Sequence, residues 1–416
     1  MTLPGGSANG PGPDPAPLLA LRSKRVLDAA HGRWITDAVV VVKDGRIVEV
    51  TSSVPGAATL IDLGDRSLLP GLVDAHTHIF LQGNHDPGEY ADQILAEDPA
   101  HRVARAVRSL RIALEHGFTT LRDLGTEGAG FADVALRAAV EEGVLPGPRL
   151  QVAGPAIGAT HSYAISNYRS DWAFPVGVAE CDGVEGCRRE VRRQISRGVD
   201  WIKVYVTSGT RVRVDEDGYS DSPPPWTMAE LQTLVDVAHE GGLAVAAHAM
   251  AATGTDMAVA AGVDSIEHGT AIRPATAYAM AERGIALVPT LLALREQPRQ
   301  SFQNCRAAGV PIVFGTDVGA FYWDEFNQAR ELELLVELGM TPAEAIRSAT
   351  VAAAALLRRA GELGDITAGA RADLVACPGD PLRDVATMQA VDVVIKGGQL
   401  VLAPDQVLRQ PAGVRG

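Results

Sequence analysis

Asp74, His76 and His78 alternate along the run GLVDAHTH (71–78), and an extended chain carries side chains at i, i+2 and i+4 on one face. Two imidazoles on one rigid strand can bind a metal ion, although the same pair can equally be hydrogen-bonded histidines at a barrel mouth. Lys203 lies in DWIKVYV (200–206), among β-branched and aromatic neighbours. The chain has four lysines (Lys24, Lys43, Lys203 and Lys396) among 37 basic residues, and one of these few stands inside an apolar strand. Burial of an amine lowers its pKa. A neutral amine can act as a nucleophile or take up CO2 as a carbamate; the plainer alternative is a lysine whose head reaches back to water. His248 ends LAVAAHA (243–249), His268 lies in SIEHG (265–269) and Asp317 ends PIVFGTD (311–317). Taken singly, each histidine reads as a satisfied polar residue at a strand end, and Asp317 as a helix N-cap.

The elements that must position these residues fall into three regions. Over 17–70 the runs Leu18 to Val26, Ala38 to Val42 and Arg46 to Val50 have strand character, with Lys43-Asp44-Gly45 as a hairpin turn. Over 71–355, strand and helix patterns alternate. The strands are 71–78, 118–125, 149–155, 200–206, 243–249, 265–269, 285–290 and 311–317. Helical segments such as 104–117 and 227–242 separate them, the latter opening on the capping pair Thr227 and Glu230. Eight repeats predict an α/β fold, a (β/α)8 TIM barrel. Over 356–410 β character returns in ADLVAC (372–377) and DVVIKGGQLV (392–401). Pieces of this size are marginal alone, so the two ends are expected to form one composite β-sandwich. In such a barrel the carboxyl ends of strands one, four, five, six and eight converge, which brings His76, His78, Lys203, His248, His268 and Asp317 to one face. Nitrogen and oxygen donors of this kind suit zinc-class ions, and the set is large enough for two.

Composition limits the partners. The chain has 416 residues, a net charge of −14 and 46% apolar residues. That balance argues against nucleic acid or an anionic membrane and favours a small-molecule substrate. Residues 1–16 read as a disordered Pro/Gly tail without the features of a signal peptide. No apolar run is long enough to span a membrane, and a cytoplasmic location is expected. Cys181 and Cys187 could bridge a short loop; free thiols in a reducing compartment are the preferred reading.

LLPGLVDAHTH, the lysine of the fourth strand, AHA, IEHG and GTD together resemble the amidohydrolase superfamily, in its binuclear form with a carboxylated lysine. The segments GDITAGARADLVACPGDP and VDVVIKGGQLV look like that superfamily's small β-sandwich, and the spacing is most similar to the imidazolonepropionase-like group that includes prolidases and ochratoxin-type amidases. The resemblance implies that His76 and His78, with Asp317, bind the more buried of two divalent metals, most often zinc, with Mn, Co or Fe as alternatives. His248 and His268 then bind the second, and the CO2-derived carbamate on Lys203 bridges both together with a hydroxide. Asp317 takes the proton of that hydroxide and passes it to the leaving amine. It also suggests a homo-oligomer.

His161, just after the third strand, is a candidate catalytic and substrate-binding residue. Tyr205 shares a strand face with Lys203. Arg211 and Arg213 could bind a substrate carboxylate, and Tyr163, Trp226 and Tyr322 an apolar part. His85 and His101 lie beyond the first strand near the mouth, whereas His31, His116 and His239 read as surface or helix-end residues. The loop 208–226 is long enough to be a lid. Hydrolysis of an amide or peptide C–N bond (a dipeptide such as Xaa-Pro, an N-acyl amino acid or a cyclic amide) leads. Heterocycle deamination, lactone, ester or phosphotriester hydrolysis, and a non-catalytic assembly role are the alternatives.

Overall fold

The computed structural model describes residues 18–83, 87–163, 174–207, 211–294 and 298–408, so the N-terminal tail and His85 lie outside the described residues. Its centre is a (β/α)8 barrel. Strands Leu72–Thr77, Phe118–Asp123 and Arg149–Val152 pair in parallel, as do Trp201–Tyr205, Ala244–Ala249, Ser265–His268 and Ala286–Val288. The third and fourth strands meet where the Asp200 amide donates to the Val152 carbonyl at 2.8 Å. Helices follow the strands around the outside, among them Pro99–Glu115, Ala132–Glu141, Gly183–Arg197 and Met228–Glu240. Met228–Glu240 starts on the complete capping box of Thr227 and Glu230.

The eighth run, 311–317, differs from a regular strand. It is tied by isolated parallel bridges, Ile312 to Leu287 and Val318 to Thr77, and by the Ala75 amide donating to the Phe314 carbonyl at 3.1 Å. Gly315 explains part of this. A Cβ there would lie 2.4 Å from Val288 Cγ1 and 3.0 Å from His76 Cβ, so the backbone approaches both neighbouring strands as only glycine permits.

Alternation sorts the strand residues. Ile202, Val204, Val245 and Ala247 pack outward with the helices, whereas Trp201, Ala244 and Ala246 join an inner cluster. Lys203 is paired in register with Ala246, and Tyr205 with His248. The small alanine leaves room beside the lysine stem.

The terminal segments make one eight-stranded sheet. Its order is Gln399–Leu402, Val393–Lys396, Leu374–Cys377, Ser67–Pro70, Leu19–Asp28, Arg33–Lys43 and Arg46–Thr51, with Thr59–Asp62 also beside Leu19–Asp28. The far edge curls back, since the Ile47 amide donates to the Ala370 carbonyl at 2.9 Å around a core that includes Val40, Ile47, Leu68 and Ile395. Asp44 and Gly45 both have positive φ (50° and 74°), as a two-residue hairpin loop requires. Among the described residues no helix is long and apolar enough to cross a membrane. The Cys181 and Cys187 sulfurs lie 3.8 Å apart as free thiols.

Candidate metal centre

The carboxyl ends of the barrel strands form a cavity of about 340 Å3. His76, His78, Lys203, His248, His268 and Asp317 all line it, with Glu127, Tyr90, Tyr163, Tyr205 and an apolar margin that includes Leu81, Met250 and Leu294. Donor atoms of His76, His268 and Asp317 lie within 4.8 Å of one another. Asp317 Oδ1 is 3.5 Å from His76 Nε2 and 3.3 Å from His78 Nε2, and Lys203 Nζ is 3.4 Å from His76 Nε2. The His248 and His268 ring centroids are 4.6 Å apart. His268 (φ 67°), Asp317 (φ 59°), Thr290 (φ 48°) and Glu127 (φ 46°) all adopt the left-handed region, a concentration of backbone strain typical of a working site.

Each strand-one histidine has its Nδ1 fixed by a partner. The Nδ1–H of His76 donates to Glu267 at 2.7 Å, and that of His78 to the Gly125 carbonyl at 2.9 Å. Both rings therefore turn Nε2 toward Asp317, as outer partners do for histidine ligands. His268 Nδ1 is 2.7 Å from Thr290 Oγ1. Burial, reinforced by the Lys203 charge, holds His76 well below the usual imidazole range and His248 down at about 3. Burial and the neighbouring His248 do the same to His268. Neutral imidazoles are the form that binds metal. For His78 burial opposes protonation, but the hydrogen bond and charge of Asp317 outweigh it and push it up to about 9. For Asp317 burial opposes ionisation, and the surrounding His76, His78 and His268 hold its carboxyl well below the usual range. Burial brings Lys203 down to about 8. The buried neutral imidazoles of His76, His248 and His268 beside an ionised Asp317 carboxylate fit a divalent metal centre.

Glu267, Arg122, Glu127 and Tyr90 support the site and are absent from the sequence reading. Glu267 is wholly buried and also accepts from Arg122 at 2.9 Å, while Arg122 donates to the Ala75 carbonyl at 2.5 Å. Strand alternation places Glu267 opposite His268, and the left-handed backbone at His268 breaks that alternation so that both serve the site. The hydroxyls of Tyr90, Tyr163 and Tyr205 lie against the Glu127 carboxylate. The one available signal was the presence of Glu267 inside IEHG. Asp74 does not line the cavity; its carboxylate accepts from Thr316 Oγ1 at 2.6 Å and Gln328 Nε2 at 2.7 Å.

The expected substrate residues divide. Tyr163 and Tyr205 line the cavity. His161 is exposed, its backbone amide donates to Glu180, and it is not among the residues lining this cavity. Arg211 is exposed and Arg213 pairs with Asp221 on the surface. Trp226 is a packing residue, buried with its indole donating to the Tyr205 carbonyl at 2.7 Å. Tyr322 bonds Glu89 instead. The part of the 208–226 loop that is described, from 211 on, carries a small hairpin, Arg213–Val214 with Ser220–Asp221. It is pinned to the barrel by Asp215 to Arg273 and by the Thr253 amide to Asp221. His101 and His31 are exposed, His239 pairs with Asp264, and His116 caps Pro99–Glu115.

A larger cavity of about 700 Å3 lies where the barrel meets the sheet, lined by Arg149, Arg359, Arg371 and Lys396 among others. Those cations are engaged: Arg149 by Asp373, Arg359 and Arg371 by Glu362, and Lys396 by the Gly147 carbonyl. It holds none of the convergent donors of the barrel mouth.

Residues 67–401 match the model of the amidohydrolase family. The chain is 32% identical to an ochratoxinase of Aspergillus niger over 383 residues, covering 81% of this chain and 76% of that one. It is 25% identical to an imidazolonepropionase of Pyrobaculum arsenaticum over 387 residues, covering 86% and 92%. Among solved structures, a Xaa-Pro dipeptidase with methionine bound in its active site superposes with a TM-score of 0.82 at 30% identity, covering 93% of this chain and all of that one.

Proposed function

This chain belongs to the amidohydrolase family, and from that premise we propose that it is a two-metal hydrolase cleaving the C–N bond of a small amide: a dipeptide such as Xaa-Pro, an N-acyl amino acid or a cyclic amide. The observation that carries this is the convergence of His76, His268 and Asp317 donors within 4.8 Å, with Lys203 Nζ 3.4 Å from His76 Nε2, at the carboxyl face of the barrel. Similarity to the Xaa-Pro dipeptidase structure supports a dipeptide-sized substrate.

His76, His78 and Asp317 would hold one divalent ion and His248 and His268 the other, with a carbamate on Lys203 between them. Zinc suits these donors, and Mn, Co and Fe share them. Bound ions of this class acidify water and polarise a carbonyl. The remaining work falls to the chain. Lys203 Nζ bonds to the carbon of CO2 and releases a proton to become the carbamate, and its burial favours the neutral amine this needs. Asp317 stands 3.3–3.5 Å from two imidazole nitrogens, placed to accept a proton from the attacking water and return it to the leaving nitrogen. Glu267 and the Gly125 carbonyl hold the histidine rings in one tautomer. The apolar margin of Leu81, Met250 and Leu294 limits competing water around the scissile bond.

The test pairs metal analysis with a panel of Xaa-Pro and other dipeptides, N-acyl amino acids, lactones and aminated heterocycles. About two divalent ions per chain and fastest turnover of an amide are expected. Lys203→Ala should lose metal, and with it on the order of 10²-fold or more in kcat. Full metal content and activity in that variant would overturn the carbamate bridge, and faster turnover of a heterocyclic amine would overturn amide hydrolysis.

A further inference from the structure

Glu127 is an unusual carboxylate. It sits on the loop after Phe118–Asp123 with a left-handed backbone, is 1% exposed, and faces the cavity. Three phenol oxygens reach it: Tyr205 at 3.2 Å from Oε1, Tyr90 at 2.5 Å and Tyr163 at 3.0 Å from Oε2, and since the Tyr90 and Tyr163 hydroxyls are 2.6 Å apart, one of those two donates to the other. Burial, and then the Glu127 charge, push the Tyr90 and Tyr163 phenols well above their usual range, so they remain neutral donors. Phenols share a negative charge but do not neutralise it.

Among the described residues no lysine or arginine hydrogen-bonds Glu127, although its charge acts on Lys203, His78 and Arg102 from farther off. His78 Nδ1 is 4.0 Å away, but its proton lies on the Gly125 carbonyl. Arg102 is directed to the Phe80 and Thr126 carbonyls. Aromatic faces surround the carboxylate, with Tyr163 and Tyr205 centroids 4.7 Å apart and Tyr205 and His248 4.8 Å apart. Gly177 closes the back: a Cβ there would lie 2.7 Å from both Glu127 Oε2 and the Tyr90 hydroxyl. A buried carboxylate beside aromatic faces is a chemistry that receives an ammonium group. His78 stands between the two carboxylates, its Nδ1 4.0 Å from Glu127 and its Nε2 3.3 Å from Asp317. Glu127 and Asp317 line the same cavity, so a substrate amine near the scissile carbonyl lies within reach of the carboxylate.

We propose that Glu127, with Tyr90, Tyr163 and Tyr205, binds a protonated amine on the acyl side of the substrate, so that the substrates are aminoacyl amides such as dipeptides with a free N-terminus rather than N-acyl amino acids. The inference rests on the amide-hydrolase reading and narrows it. Phe-Pro, N-acetyl-Phe-Pro and phenylpropanoyl-proline, which lacks the amine, test it in the metal-loaded enzyme. The wild type should favour Phe-Pro over both others by about tenfold or more in kcat/KM, and Glu127→Gln should bring that ratio to within about twofold. Calorimetric affinities of phenylalanine and 3-phenylpropanoate, the acyl-side products with and without the amine, give the same comparison in wild type and variant without turnover. If none of the three amides is hydrolysed while phenylalanine still binds preferentially through Glu127, the amide reading fails and the amine site stands. Equal kcat/KM for the three in the wild type would overturn the amine site, as would a preference unchanged in Glu127→Gln, and a uniform loss on all three in the variant would make Glu127 only an anchor for the tyrosines.

Discussion

Glu267 shows how one side chain can set the chemistry of another. It accepts the Nδ1–H of His76 and the guanidinium of Arg122, so one carboxylate fixes the tautomer of a candidate ligand and neutralises a wholly buried cation. Removing it outright would leave Arg122 unpaired, a change that costs about 3–5 kcal/mol in a buried pair. Glu267→Gln is the informative substitution, because the amide keeps an oxygen for one donor but not the charge. Metal affinity in that variant, measured by competition with a chelator, should fall by about 10–100-fold, the usual effect of losing a ligand's outer partner. Unchanged affinity would mean that the His76 ring is held by packing alone.

At the scale of elements, the strands that carry the candidate ligands were legible because each joins apolar residues to a polar end. Lys203 in its strand and His248 in LAVAAHA are of this kind, and alternation places both inside. The supporting groups were not legible. Glu127, Tyr90 and Tyr163 meet across 36 to 73 positions, and Glu267 lies 191 positions from His76, separations no local pattern encodes. Trp226 and Tyr322 make contacts no local pattern encodes either: the indole donates to the Tyr205 carbonyl and the phenol to Glu89. The eighth segment read as an ordinary strand, yet side chains hold it as well as the backbone. Asp74 on Leu72–Thr77 accepts from the Thr316 amide at 3.0 Å, from its hydroxyl and from Gln328. Asp74→Ala should therefore loosen the segment that carries Asp317 and cost about 2–4 kcal/mol through unsatisfied buried donors. Hydrogen exchange concentrated at 311–318 with a lowered denaturation midpoint is the expected result; exchange spread evenly over the barrel would contradict it.

Across the whole molecule, the sheet from the two termini is joined to the barrel by charge as well as by chain. Arg149 on the third barrel strand pairs with Asp373 next to Leu374–Cys377, and the Asp373 carbonyl accepts from the Gly71 amide that opens the first barrel strand. Glu362 makes a second joint, accepting from Arg359 beyond the last barrel helix at 2.6 Å and from Arg371 at the sheet edge at 2.8 Å. The hydrogen bond from Arg359 leads the causes that hold the Glu362 carboxyl down at about 2, below its ordinary 4.5. A depressed carboxylate contributes stability that is fully present above the unfolded value and is lost as pH falls through the folded one. With its side chain 26% exposed, solvent screening leaves about 1–2 kcal/mol for the joint. Thermal melts of the wild type and Glu362→Gln should differ by that amount at neutral pH and converge as pH drops from 4.5 toward 2. Because the joint links the two bodies, the variant should also bring forward the sheet's unfolding relative to the barrel's. A difference between the two proteins that stays constant from neutral pH down to pH 2 would show that Glu362 acts through packing and not through its charge.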